Sequence, residues 1–478
     1  MRSPLKIILL LCLPLLAHGQ SVEDTIRQVE NNLAGWVTFE NEPPTRWNLQ
    51  ERLQTGKMPG VSIAVIKDYK VHWARGYGFA DVAEKRPVTA QTLFQAASIS
   101  KSLNGVAMLK LVQQGKLNLD EDINRYLNTW HPSADSGKIT LAHLLSHTAG
   151  LTIHGFPGYE VTDTLPTVEQ ILRGVPPANT KEVKPAFAPG KKVQYSGGGT
   201  TVTQLILTTV TGKPYDQYLQ QEVLDPMGMT SSFYTQPAPA AKKQLLATAY
   251  RQNGKPVEGK YHVYPEMAAA GLWTNPTDLA RYIIETQLSY AGRSSKVLTP
   301  ATTKTRLTPF MSNDAALGVF LTNGNKYFSH NGGNEGFKCT YSGSLDGGYG
   351  FVIMTNSDDF SIVSEVMRSI ALTYGWNDLY DPVVEKSIQV PADTLRQYTG
   401  RYTGRGVEID VTLTSGRLHI ALNGSTPMQT HFTAPGNFVL MEMPMYLRFD
   451  KTGTGFDLVA RQMGQEMRFA KQPEKAMP

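Results

Sequence analysis

Cysteine is nearly absent from this chain of 478 residues: only Cys12 and Cys339 occur. No disulfide framework can staple the fold, so its stability must come from core packing. Blocks of five like charges are also missing. The formal charge of +5 is mild and evenly spread, which gives no footprint for nucleic acid. Beyond residue 20, no apolar run approaches the roughly 18 residues that a membrane span requires. The P-loop, G-x-S-x-G, C-x-x-C and H-x-H-x-D-H patterns do not appear, and neither do internal repeats or low-complexity tracts. His143 and His147 have the spacing of a helical zinc pair, but Leu144 rather than glutamate follows His143 and no third ligand stands nearby. The expectation is therefore no metal, no organic cofactor and no nucleic-acid partner. The oligomeric state stays open.

What is present is a chain 41% apolar and 18% charged, long enough for two or three domains. Arg2 and Lys6, the apolar run Ile7 to Leu16 and the small residues of Ala17-His18-Gly19 read as a signal peptide over 1–19. This predicts an exported protein, periplasmic or secreted. Cys12 lies inside the apolar run with Leu13 to Leu16 still to follow, which argues against a lipid anchor there. Cys339, flanked by Phe337 and Tyr341, reads as a buried strand cysteine.

Val22 to Phe39 reads as a helical entry, and Gly60 to Gly78 as a β-hairpin turning at Lys67–Lys70. Residues 98–114 read as a helix with a wide apolar face ending at Gly115. Helices continue from Thr167, where Gln170 completes a capping box, through Thr200–Val210 to Leu279–Leu288, where Asn275 to Asp278 repeats the capping pattern. Strands return at Phe337–Ser344 and Phe351–Thr355. One sheet that gathers both ends of this region gives an α+β fold over 20–380. A linker is placed at 381–390. Residues 391–475 alternate, as in Val407, Ile409, Val411 and Leu413, and predict a small all-β barrel with Tyr446 and Phe449 in its core.

The chemistry concentrates at Ser98-Ile99-Ser100-Lys101. Residues three apart share a helix face, so Ser98 and Lys101 meet while Ser100 points elsewhere. Ser98 stands at the helix N-terminus, where the dipole favours developing negative charge. Lys101 lies against apolar neighbours, and desolvation lowers an amine's pKa toward that of a base. Alone, S-x-x-K is a weak pattern. Two further segments add to it. Tyr195-Ser196-Gly197 supplies a phenol that can relay a proton. His330-Asn331-Gly332-Gly333 supplies a glycine-rich edge whose N–H groups can hold an oxyanion.

In this order the segments resemble the serine β-lactamase and penicillin-binding superfamily, on the side of class C β-lactamases, D-peptidases and family VIII-type esterases. The resemblance rests on Phe94–Lys101, Leu144–Leu151, Tyr195–Gly199, Asp225–Met229, Gly271–Trp273 and His330–Gly333, across roughly 55–360. Residues from about 390 onward resemble an appended lipocalin-like domain. The resemblance implies a β-lactamase/transpeptidase-like fold, an antiparallel sheet flanked by helices with a helical subdomain. It implies Ser98 as the acylated nucleophile, Lys101 as base, Tyr195 as proton relay and His330 in place of a third-motif lysine. The oxyanion would sit on the N–H groups of Ser98 and Gly333. Asn331, Gly332 and Trp273 would line the substrate, although Trp273 reads equally as a core residue.

Two positions depart from the family pattern. Gly197 stands where asparagine usually contacts the substrate's acyl amide, and His330 where lysine attracts a carboxylate. Both weaken the grip on a β-lactam or a peptide C-terminus, and point to an ester or a peptide with a D-residue as substrate. The rival readings are a penicillin-binding sensor that is acylated but hardly deacylates, and an inactive scaffold.

Overall fold

The computed structural model describes residues 21–133, 137–453, 455–462 and 465–473. The leader read over 1–19, with Cys12, lies outside them. The entry is mixed rather than wholly helical. A helix spans Val22–Asn31, capped by the Ser21 hydroxyl, and the chain then extends into a short strand, Val37–Phe39.

A seven-stranded sheet forms the first domain's spine, in the order Arg86–Pro87, Lys70–Asp81, Gly60–Lys67, Gly350–Thr355, Phe337–Ser344, Tyr327–Asn334, Phe320–Thr322. The hairpin Gly60–Lys67/Lys70–Asp81 turns through Asp68 and Tyr69, both at positive φ. Its first strand pairs antiparallel with Gly350–Thr355, which brings the two ends of the domain together. Both faces of these central strands are covered, so they read as nearly continuous apolar runs. Ala64, Ile66, Val352 and Met354 join the core shared with the middle helices. Val61, Ile63, Val65, Phe351 and Ile353 pack on the other side, against residues of the helices Val22–Asn31, Leu49–Thr55 and Ser361–Tyr374.

The segment read as a helix over 98–114 is a 3₁₀ turn, Ala97–Ile99, followed by an α-helix, Ser100–Gln113. It has no single apolar face: from Ser100 to Leu109 every residue is buried. A helix enclosed on all sides must satisfy its polar side chains internally. The Ser100 hydroxyl accepts from Leu272 N–H at 3.0 Å, the Ser102 hydroxyl accepts from Tyr341 at 2.9 Å, and Asn104 donates to Thr203 at 2.9 Å. The capping box at Thr167 and Gln170 forms in both directions. At Asn275 only half of the pattern forms. Its side chain accepts from Asp278 N–H, while the Asp278 carboxylate turns to the N–H groups of Ser231 and Ser232.

The second domain is a closed barrel of eight antiparallel strands between Gly400 and Lys471. Phe449 lies in its core, as expected. Tyr446 does not: it is 45% exposed, its ring edge-on to Trp36 and its hydroxyl donating to Glu385. The linker segment carries a short strand, Val383–Glu385, paired parallel with Val37–Phe39. The barrel docks on this pair. Trp36 Nε1 donates to the Leu440 carbonyl at 2.6 Å, Phe39 stacks on His431, and Arg52, already bonded to Glu365, lies 3.8 Å from Glu442.

Trp36→Ala removes a docking hydrogen bond and a large apolar contact, at an expected cost of roughly 2–4 kcal/mol. Trypsin cleavage at Lys386 should accelerate while fluorophosphonate labelling of Ser98 stays unchanged. Both are read by gel and intact mass, and a protein that cleaves no faster would remove Trp36 from the docking surface.

Candidate active site

Ser98 sits in the 3₁₀ turn that precedes the buried helix. Ala97 before it has φ +49°, in the left-handed region that non-glycine residues avoid. Such strain persists only where neighbours enforce it. Here the Ala96 N–H donates to Leu272, and the Ala96 carbonyl takes Ile99 N–H and the Cys339 thiol. Cys339 is fully buried in its strand and burial pushes its thiol pKa up, as befits a packing cysteine.

One helical turn on, Lys101 Nζ lies 3.1 Å from Ser98 Oγ and donates to the Ala269 carbonyl at 2.7 Å. Lys101 is only 3% exposed, because its helix offers no path along which the side chain could reach water. Burial lowers its pKa to about 7. The amine is therefore substantially free at neutral pH, within proton-transfer reach of a hydroxyl.

Tyr195 enters from the loop before the helix Gly197–Thr211, with the Lys101 amine 4.9 Å from its ring centroid. Burial raises the phenol's pKa, partly offset by Ser98, and keeps it protonated. Its Oη feels the Ser98 hydroxyl yet makes no hydrogen bond of normal geometry among the described residues. His330 lies in the strand Tyr327–Asn334, buried, its ring centroid 6.1 Å from that of Tyr195. Its Nδ1–H donates to the Asn331 carbonyl at 2.6 Å, and Nε2 has no hydrogen-bond partner among the described residues. Burial, then the Lys101 charge, lower its pKa to about 3, so the imidazole is neutral across the physiological range.

The pleat places the rest of this strand. His330 and Gly332 are buried, whereas Asn331 and Gly333 are exposed. Asn331 accepts a hydrogen bond from Thr340 and meets His330 through its main chain rather than its amide. Gly332 is glycine for packing: a Cβ there would lie 2.3 Å from the Ala96 carbonyl and 2.4 Å from the Cys339 sulfur. A Cβ at Gly333 would make ordinary contact with the flexible Lys338 side chain, at 3.4 Å or more. Trp273 is a correction to the substrate-lining expectation. It is fully buried, packed by Phe233, Tyr261 and Phe337, because its strand pairs with Phe94–Gln95 beneath the Ser98 turn.

Three contributors were given no role at this site by the sequence, although His147 was noted there for its spacing from His143. His147 packs against the Tyr195 ring, centroids 4.3 Å apart, and its Nδ1 accepts the Ser196 N–H. Phe320 stacks on both His147 and Tyr195. Ala269 supplies the carbonyl that fixes the amine. Each arrives on a separate segment with no periodic signal. His143 caps its own helix by accepting from Thr140 N–H, and among the described residues no group of three metal-ligating side chains forms.

A family model described as Beta-lactamase matches residues 46–372, well over half of the chain. The chain belongs to the beta-lactamase family. It is 26% identical over 323 residues to Protein flp of Staphylococcus aureus (strain N315), covering 64% of this chain and 61% of that protein. Over 234 residues it is 30% identical to Beta-lactamase of Escherichia coli (strain K12), covering 48% of this chain and 57% of that one. The chain thus spans under two thirds of the length of these curated relatives. The octameric penicillin-binding protein homologue from Pyrococcus abyssi superposes with a TM-score of 0.60 at 22% identity, over 88% of this chain and 97% of that one, a likeness of fold. For a beta-lactamase family member, the Ser98–Lys101–Tyr195 arrangement is equipped for acyl transfer to a serine.

An amine with a pKa of about 7 is protonated below that value and free above it. The rate of Ser98 acylation should therefore rise by up to about tenfold per pH unit below neutrality and level off above it. Stopped-flow labelling with a fluorophosphonate measures this, and a flat profile down to about pH 5 would remove Lys101 as the base. Ser98→Ala should abolish labelling, and Lys101→Arg should reduce it by at least about a hundredfold.

Proposed function

We propose that this protein is an exported serine hydrolase, periplasmic or secreted, that cleaves an ester or a D-residue peptide through an acyl-enzyme on Ser98. The observation that carries the reading is the 3.1 Å contact between Ser98 Oγ and an amine whose pKa burial holds near 7. Neutral Lys101 takes the proton as Oγ adds to the substrate carbonyl. The oxyanion settles on the N–H groups of Ser98 and Gly333, a donor pair whose members are each worth about 10²- to 10³-fold in rate. The proton passes through Tyr195 to the leaving group, which departs as an alcohol or amine. Water then adds to the acyl-enzyme with Lys101 taking its proton, and that proton passes to Ser98 Oγ as the ester bond breaks, which frees the acid and restores the serine and the neutral amine. Metal and organic cofactors have no part in this scheme, and among the described residues no helix is long and apolar enough to cross a membrane.

His330 supports a substrate other than a β-lactam. A neutral, acceptor-only Nε2 offers no positive charge to the carboxylate that such compounds carry. Gly197 withholds the amide that would grip their acyl side chain.

A panel of p-nitrophenyl esters, D-aminoacyl amides and nitrocefin tests the proposal, with intact mass following Ser98. A transient adduct with turnover of ester or amide supports it. A lasting penicillin adduct without turnover would make the protein a sensor. Nitrocefin turnover within about tenfold of a dedicated β-lactamase would overturn the substrate assignment. His330→Lys should raise kcat/KM for nitrocefin about tenfold, the value of one charge-assisted hydrogen bond. It should also move the acid limb of the pH profile below 7, because a second cation further disfavours protonated Lys101.

A further inference from the structure

The glycine of the second motif is dictated by a neighbour. Gly197 opens an α-helix and needs no special backbone freedom. A Cβ at this position would lie 3.0 Å from Phe156 Cε2 and 3.1 Å from the His154 carbonyl oxygen. The space in which an asparagine side chain would begin is therefore filled from the loop 152–156.

That loop is bound tightly to the motif. Gly197 N–H donates to the His154 carbonyl at 3.1 Å, Gly198 N–H to the Ile153 carbonyl at 3.0 Å, and the Ser196 hydroxyl to the Thr152 carbonyl at 2.9 Å. The first N–H groups of the helix are thus capped by loop carbonyls rather than left for an anion. Ile153 is held at φ +65°, a conformation that β-branched residues rarely adopt. The strain persists because the three hydrogen bonds enforce it, and it folds the loop back over the motif. The His154 ring comes to rest 4.9 Å from that of Tyr195, and Phe156 stays half-buried beside Gly197.

We propose that Phe156 replaces the missing second-motif side chain as an apolar wall of the acyl pocket, so that the preferred substrate is an ester of a simple apolar acyl group without an acyl amide. This rests on the serine-hydrolase reading above and narrows it. An amide laid against an aromatic ring loses its hydrogen-bond partner, whereas an alkyl chain there leaves water at no polar cost.

The test uses Phe156→Ala, Phe156→Leu and the double variant Phe156→Ala/Gly197→Asn. Substrates are the p-nitrophenyl esters of acetate, butyrate, hexanoate and N-acetylglycine, with fluorophosphonate labelling of Ser98 as an independent readout. The wild type should prefer hexanoate to acetate and turn over the N-acetylglycine ester worst. Phe156→Ala should lose about tenfold in kcat/KM on hexanoate while acetate changes little, with Phe156→Leu between. The double variant should gain about tenfold on the N-acetylglycine ester over Phe156→Ala, once loss of the ring leaves the asparagine Cβ only the His154 carbonyl to accommodate, by a few tenths of an ångström. An equal loss on every ester, a wild type that favours N-acetylglycine, or labelling at Ser98 without turnover of any apolar ester would each overturn the proposal. A wild type that fails to label at Ser98 would instead overturn the hydrolase reading on which it rests.

Discussion

One amine sealed inside a helical core is the constraint on which the rest of this structure depends. Lys101 has the Ser98 hydroxyl and the Ala269 carbonyl for partners and, among the described residues, no carboxylate in hydrogen-bond or salt-bridge contact. A buried, unpaired ammonium costs several kcal/mol, and the group escapes that cost by releasing its proton near neutrality. The same dryness acts on its neighbours. It keeps the Tyr195 phenol protonated and the His330 imidazole neutral. A single cause thus leaves a base, a proton donor and a neutral acceptor around one hydroxyl.

The architecture holds this arrangement by close backbone approach. The strand bearing Gly332 presses on the Ala96 carbonyl, and the strained Ala97 turn carries Ser98 into the helix. His147 and Phe320 fix the Tyr195 ring from behind. The barrel packs elsewhere. Its contacts with Trp36, Phe39 and Arg52 lie with the helices on the face of the sheet away from the helix that bears Lys101.

Local signals were legible wherever a short segment carries its own physics. The hairpin at Gly60 declared itself by its turn, the box at Thr167 by its capping pair, and the barrel by its alternation. Reading failed where burial comes from distant segments. Val37–Phe39 reads as helix until its partner at Val383–Glu385 is seen. Tyr446 reads as core until the domain junction places it outside. Trp273 could not be assigned to cleft or core, since both demand a large aromatic residue.

The sequence by itself determined which chemical groups were available and in what order: a serine and a lysine one turn apart, a later tyrosine and a histidine before two glycines. Helical periodicity alone brings the first two together. Only the tertiary structure decided what those groups are at neutral pH. Protonation depends on how much water a group keeps, and that water is excluded by residues scattered from Ala96 to Cys339, a fact that no local spacing records.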